Sequence, residues 1–207
     1  MFLLSACTDN EKLSERVSQV RSACFKGETD FFDVTAYSEM REYPIKSDGF
    51  VGETATYVIL KIKPKHYDNM PINDLSADFS IDRQYSAKLL FRAEADSYVA
   101  NVKVDNLPKN DLTVTITYGE KAENVPLSKV DGGEMTADKA LKVAAAHKKA
   151  LIDKLISEDK DFEIMIRLML EDNSVYYYVG IVETEFTTAL LISSDGKVLA
   201  EKRVKNP

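Results

Sequence analysis

The chain has 207 residues, with 27 Lys+Arg against 34 Asp+Glu and a formal charge of −7. Hydrophobic residues make up 44% and charged residues 29%, the balance of a folded soluble protein rather than a disordered or collagen-like one. Neither half has the basic surplus that a phosphate backbone demands, so no nucleic-acid partner is expected. Two Cys and two His leave little material for a zinc centre or a nucleophile–His pair, and no cofactor or metal is expected.

The chain opens Met1-Phe2-Leu3-Leu4-Ser5-Ala6-Cys7-Thr8, an apolar run that switches to polar residues at a cysteine. The tetrapeptide Leu4-Ser5-Ala6-Cys7 resembles the lipobox of bacterial lipoproteins. The resemblance implies export, a lipid on Cys7 as the first mature residue, and a membrane contact made through that anchor alone. A secretion signal needs a basic segment and about 7–15 apolar residues. Six residues cannot hold both, so the natural start is expected upstream. Two other readings are an ordinary apolar N-terminus and a Cys7–Cys24 disulfide. Cys24 alone reads as a small buried hydrophobe. Residues 1–10 are thus taken as a lipobox remnant and tether.

Residues 11–25 place Leu13, Val17, Val20 and Cys24 at spacings of 4, 3 and 4, which predicts an amphipathic helix ended by Gly27. Residues 30–129 alternate with period two between turn residues. Strands are expected at Phe31–Tyr37, Thr54–Lys63, Leu75–Ile81, Gln84–Arg92, Ser97–Val104 and Leu112–Tyr118. One apolar face per strand is the pattern of an antiparallel β-sandwich of immunoglobulin-like type. Residues 11–130 are therefore expected to form a helix plus a sandwich. The run Asp131-Gly132-Gly133 reads as a linker.

Thr136 suits the cap of a helix from Ala137 to about Glu158. Strands follow at Phe162–Leu170, Val175–Val182, Phe186–Ile192 and Lys197–Val204, with turns at Asp172-Asn173 and Ser193-Ser194-Asp195-Gly196. The sum is an α+β module over 134–207, one helix on a small antiparallel sheet. Its opening Met135-Thr136-Ala137-Asp138-Lys139-Ala140, its strand Tyr176-Tyr177-Tyr178-Val179 and its ending Leu190 to Leu199 around Gly196 resemble the PepSY domain. Family members often have an acidic residue where Ile192 stands. The resemblance implies a non-catalytic domain that regulates peptidases outside the cytoplasm, with a peptidase as one partner class.

His66 lies in a polar stretch and His147 in the helix, and neither sits beside a nucleophile motif. Glu158-Asp159-Lys160-Asp161 reads as a solvated charge run, and Glu183 and Glu185 flank a turn. Asp68, Asn73 and Asp74 lack the spacing of a calcium loop. The surface candidates are Tyr176, Tyr177 and Tyr178, together with Met165 and Met169, which share a strand face with Arg167. The expectation is an extracytoplasmic lipoprotein without catalytic activity, binding a protein or peptide through a sheet face or edge. The alternatives are an envelope-assembly protein and a hydrolase that uses paired carboxylates.

Overall fold

The computed structural model describes residues 13–44, 46, 48–66, 75–130, 133–171 and 173–206. The lipobox and Cys7, the acidic stretch at 68–74, the pair Asp131-Gly132 and Asp172 lie outside them. The fold is β-rich, and its described residues divide into two compact units. One contains residues 23–39 and 56–130; the other contains 13–22, 40–55 and 133–206. The second unit thus takes in two segments that the sequence reading grouped with the preceding domain. Strands β1 (Val17–Glu28) and β2 (Phe32–Glu42) contribute residues to both units.

The unit of residues 23–39 and 56–130 is a sandwich. One sheet runs β1-β2-β3-β7-β6, with β3 at Thr54–Pro64, β6 at Leu90–Arg92 and β7 at Ser97–Lys103. The other runs β5-β4-β8-β9, with β4 at Leu75–Ser80, β5 at Gln84–Lys88, β8 at Leu112–Tyr118 and β9 at Lys121–Lys129. Strand β9 also pairs with β1 at Phe25–Lys129 and joins the sheets along one side. Phe25, Phe32, Val34, Val58, Leu60 and Ile62 from the first sheet meet Ala77, Phe79, Val114, Ile116, Val125 and Leu127 from the second in a single core. Strand β8 shows why the pattern works: Leu112, Val114 and Ile116 point inward while the intervening threonines stay outside.

Three expectations need correction. Residues 13–25 do not form the helix expected over 11–25. After one turn at Leu13–Arg16, closed by Arg16 N–H donating to the Leu13 carbonyl at 3.1 Å, the chain enters strand β1. There Ala23, Cys24 and Phe25 are buried consecutively, so burial on both faces erases the alternation that marks a strand. Gly27 does not end a helix either. A Cβ on it would stand 2.2 Å from the Pro126 carbonyl oxygen, so glycine is what allows β9 to approach. The run Gln84–Arg92 breaks at the buried Leu89 into β5 and β6.

In the other unit, Thr136 caps helix α1 (Ala137–His147) by accepting from the Lys139 amide at 3.2 Å. The single helix expected here is two: α2 (Lys149–Ser157) follows after Lys148. The helices bury Ala140, Leu141, Ala144, Ile152 and Leu155. Strands β10 (Phe162–Glu171), β11 (Ser174–Glu183), β12 (Phe186–Ser193) and β13 (Val198–Lys205) form an antiparallel meander, and β1 pairs parallel to the far edge of β10. Phe162, Ile164, Ile166 and Leu168 share a buried face with Val179 and Leu190. No described helix is long and apolar enough to cross a membrane.

Leu60 is fully buried in the sandwich core. Leu60→Ala should cost about 2–5 kcal/mol, from lost transfer energy plus the cavity left behind. Urea unfolding measures this loss.

Candidate functional site

The sheet face opposite the helices is built by register. Pairing sets Met169 beside Tyr176, Arg167 beside Tyr178, and Met165 beside Gly180 across β10 and β11. Leu191 and Ser193 of β12 continue the rows past Tyr178 and Tyr176. Tyr176, Tyr178, Met169, Arg167 and Leu191 are half-buried, and Met165 is buried. Four of the five expected surface residues therefore share one face. Tyr177 stands on the other, 2% exposed, its hydroxyl donating to the Met135 carbonyl at 3.1 Å. Burial raises its phenol pKa.

The face has a fixed centre. Arg167 Nε donates to Gln19 Oε1 of β1 at 2.7 Å, and its guanidinium carbon lies 5.6 Å from the centre of the Tyr178 ring. Its Nη2 reaches the Met165 sulfur at 3.5 Å. The Tyr178 ring lies along its own strand over Gly180, where a Cβ would come within 2.9 Å of the phenol oxygen. Gly180 is therefore the residue that lets the ring lie flat, and cation, ring and thioether hold one another in place. Gln19 went unnoticed in the sequence because the helical reading of residues 11–25 set it apart from β10.

A second feature gathers acids that the sequence treats as separate. A cleft of about 490 Å³ between the end of α2, the start of β10 and the β11–β12 turn is lined by Glu158, Asp159, Asp161, Glu183 and Glu185, with Lys154, Lys160 and Arg203 among them. Arg203 pairs with Glu183 at 3.0 Å and Lys154 with Glu158 at 3.9 Å. His147 contacts Glu201 at 3.1 Å on the helix side, Lys148 pairs with the same carboxylate at 2.7 Å, and His66 is exposed. Lys148, and then His147, hold the Glu201 carboxyl below its ordinary pKa. Among the described residues no cluster of three or more His, Cys, Asp or Glu is placed to hold a metal ion.

The β12–β13 turn is set by its own side chains. Gly196 takes φ +85°, and a Cβ there would lie 3.3 Å from the Met135 methyl. Lys197 pairs with Asp195 at 2.6 Å, and Ser193 donates to the same carboxylate. No family model matches the chain, and no curated protein or solved structure matches it.

Lys197, with help from Ser193, holds the Asp195 carboxyl at a pKa of about 2. A depressed carboxyl pKa contributes stability above the ordinary value that is lost as pH falls through the lowered one. Carboxyl ¹³C NMR should show Asp195 titrating near that value, and Lys197→Ala should move the midpoint up toward the ordinary range.

Proposed function

We propose that the protein is a non-catalytic, extracytoplasmic binding module, tethered by a lipid on Cys7, that docks a protein or peptide on the β10–β12 face opposite the helices. The observation that carries this reading is the Arg167–Tyr178–Met165 cluster with Tyr176 and Met169 beside it. Aromatic and arginine side chains are the commonest anchors of binding energy. Here their rotamers are held before any partner arrives, which lowers the ordering cost of association. The unit of residues 23–39 and 56–130, read as an immunoglobulin-like sandwich, serves as a second recognition domain or spacer. The capped helix, the meander and the Gly196 turn are in keeping with the PepSY-like reading of residues 134–207, and that reading names a peptidase as the partner. An envelope-assembly role would use the same face for a structural component.

Replacing Tyr178 with a photo-crosslinking phenylalanine analogue in intact cells tests the reading. One defined adduct is expected, identified by mass spectrometry as a peptidase. Tyr176→Ala or Arg167→Ala should weaken binding of that purified partner at least about tenfold, or about 1.4 kcal/mol. Unchanged affinity in both variants contradicts the assigned face. An adduct with a wall or scaffold component favours assembly. Metabolic labelling with an alkynyl fatty acid should mark the chain and be abolished by Cys7→Ser.

A hydrolase reading draws on the acidic cleft, since paired carboxylates are what glycoside hydrolysis uses. Glu183 and Glu158 there stand against Arg203 and Lys154, whereas a general acid wants apolar surroundings that keep its proton. Polysaccharide cleavage that disappears in Glu183→Gln would establish this alternative.

A further inference from the structure

Leu13 is the first described residue, and it is seated at the start of strand β10. It is buried, and with Leu155, Ile156 and Phe162 it lines a recess of about 260 Å³ at the end of α2. The Arg16 guanidinium lies over the Phe162 ring at 5.2 Å, and the Arg16 carbonyl accepts from the Ile164 amide at 2.7 Å. The point from which the chain leads back to Cys7 is therefore fixed beside the first residues of β10.

The loop between the paired strands β2 and β3 comes to the same place, within the same compact unit. Its base is closed by the Tyr43 amide, which donates to the Glu53 carbonyl at 2.8 Å. Its tip is turned by the Phe50 amide, which donates to Asp48 Oδ1 at 3.1 Å, and by Gly49, which takes φ +89°. A Cβ on Gly49 would stand 3.2 Å from the Asp161 backbone, so the tip rests on the residue that precedes β10. Large side chains are nevertheless left in water here. Phe50 is 56% exposed, Tyr43 61%, and Ile156 of α2 45%. Apolar surface gathered at one end of a unit marks a contact with something else.

We propose that Phe50, Tyr43 and Ile156 form a membrane-facing foot that inserts into the interface of the bilayer holding the Cys7 lipid.

The inference rests on the Cys7 tether proposed above, and the length of that tether selects a lipid surface as the occupant. The six residue steps from Cys7 to Leu13 span at most about 22 Å. With a lipid on Cys7, Leu13 and the end of the unit around Asp161 stand no further than that from the bilayer. Aromatic rings favour the bilayer interface. A tether also makes a weak apolar contact intramolecular, so a few side chains suffice. Charge does not drive the contact: Arg16 and Lys160 share this end with Glu158, Asp159 and Asp161, which is no basic patch for anionic head groups. The far end of the sheet is held away. Phe186 lines the same cleft as Asp161, and from it β12 runs eight residues to Ser193, about 26 Å of strand. Leu199, 52% exposed, sits at that far end, between Val198 and Ala200, which pair with Ile192 and Leu191.

The chain contains no Trp, so Phe50→Trp, Ile156→Trp and Leu199→Trp, made separately, each supply a single fluorescent reporter. Each full chain is coupled through the Cys7 thiol to a maleimide lipid in phosphatidylcholine vesicles whose acyl chains carry bromine as quencher; Cys24 is fully buried and is spared. Emission of Phe50→Trp should shift to the blue and be quenched at least about twofold, as for a ring buried at the headgroup–acyl boundary. Leu199→Trp should keep its emission. An unquenched Phe50→Trp, or equal quenching of Leu199→Trp, overturns the proposal. Should Phe50→Trp fail to fold, Ile156→Trp takes its place with the same two outcomes. Fatty-acid labelling separates this proposal from the tether beneath it. A chain that takes up the label at Cys7 and shows no quenching contradicts the foot alone, whereas a chain without label loses tether and foot together.

Discussion

Strand β10 has a neighbour on each edge, β1 running parallel and β11 antiparallel, and every residue from Phe162 to Ile166 is buried. Much in its unit follows from that constraint. Even-numbered positions, Phe162 to Leu168, must be apolar because helices α1 and α2 cover them. Odd-numbered positions lie on the opposite face, where Glu163, Met165 and Arg167 are wholly or partly withdrawn from water without being hydrocarbon. Each polar group there has to find local compensation. Arg167 finds it in Gln19, the Met165 sulfur and the Tyr178 ring. Glu163 finds far less.

Those two residues differ in how far their polar groups are satisfied. The Arg167 cluster is satisfied and fixed, with the cation and the Tyr178 ring half-buried and the Met165 thioether buried. Under the proposed binding role, such a surface would receive a partner without rearranging. Glu163 is fully buried, and neither of its carboxylate oxygens makes a well-formed hydrogen bond to the described residues.

How much of this was legible in the sequence depended on solvent. Strands with one wet face announced themselves: β8 was read at its observed bounds, and β4, β7 and β12 within a residue or two, because alternation survives where one side meets water. β1 was lost because Ala23, Cys24 and Phe25 are buried in succession, which left a helical spacing by coincidence. β9 was not picked out at all: only Val125 and Leu127 are buried in it, and Pro126 interrupts it. Of the site, the tyrosines and methionines could be placed by parity along β10 and β11. Gln19 could not, since its role needs the parallel β1–β10 pairing, and such non-local contacts leave no local pattern.

Which face of the C-terminal sheet meets solvent is reported within a single strand by three consecutive tyrosines. Hydroxyl-radical footprinting of the intact protein should oxidise Tyr176 and Tyr178 readily and leave Tyr177, under the helices and bonded to Met135, about tenfold or more protected. Equal oxidation of all three, or protection of Tyr178 with Tyr177 reactive, would mean that the helices do not cover the face assigned to them and that the binding surface lies elsewhere.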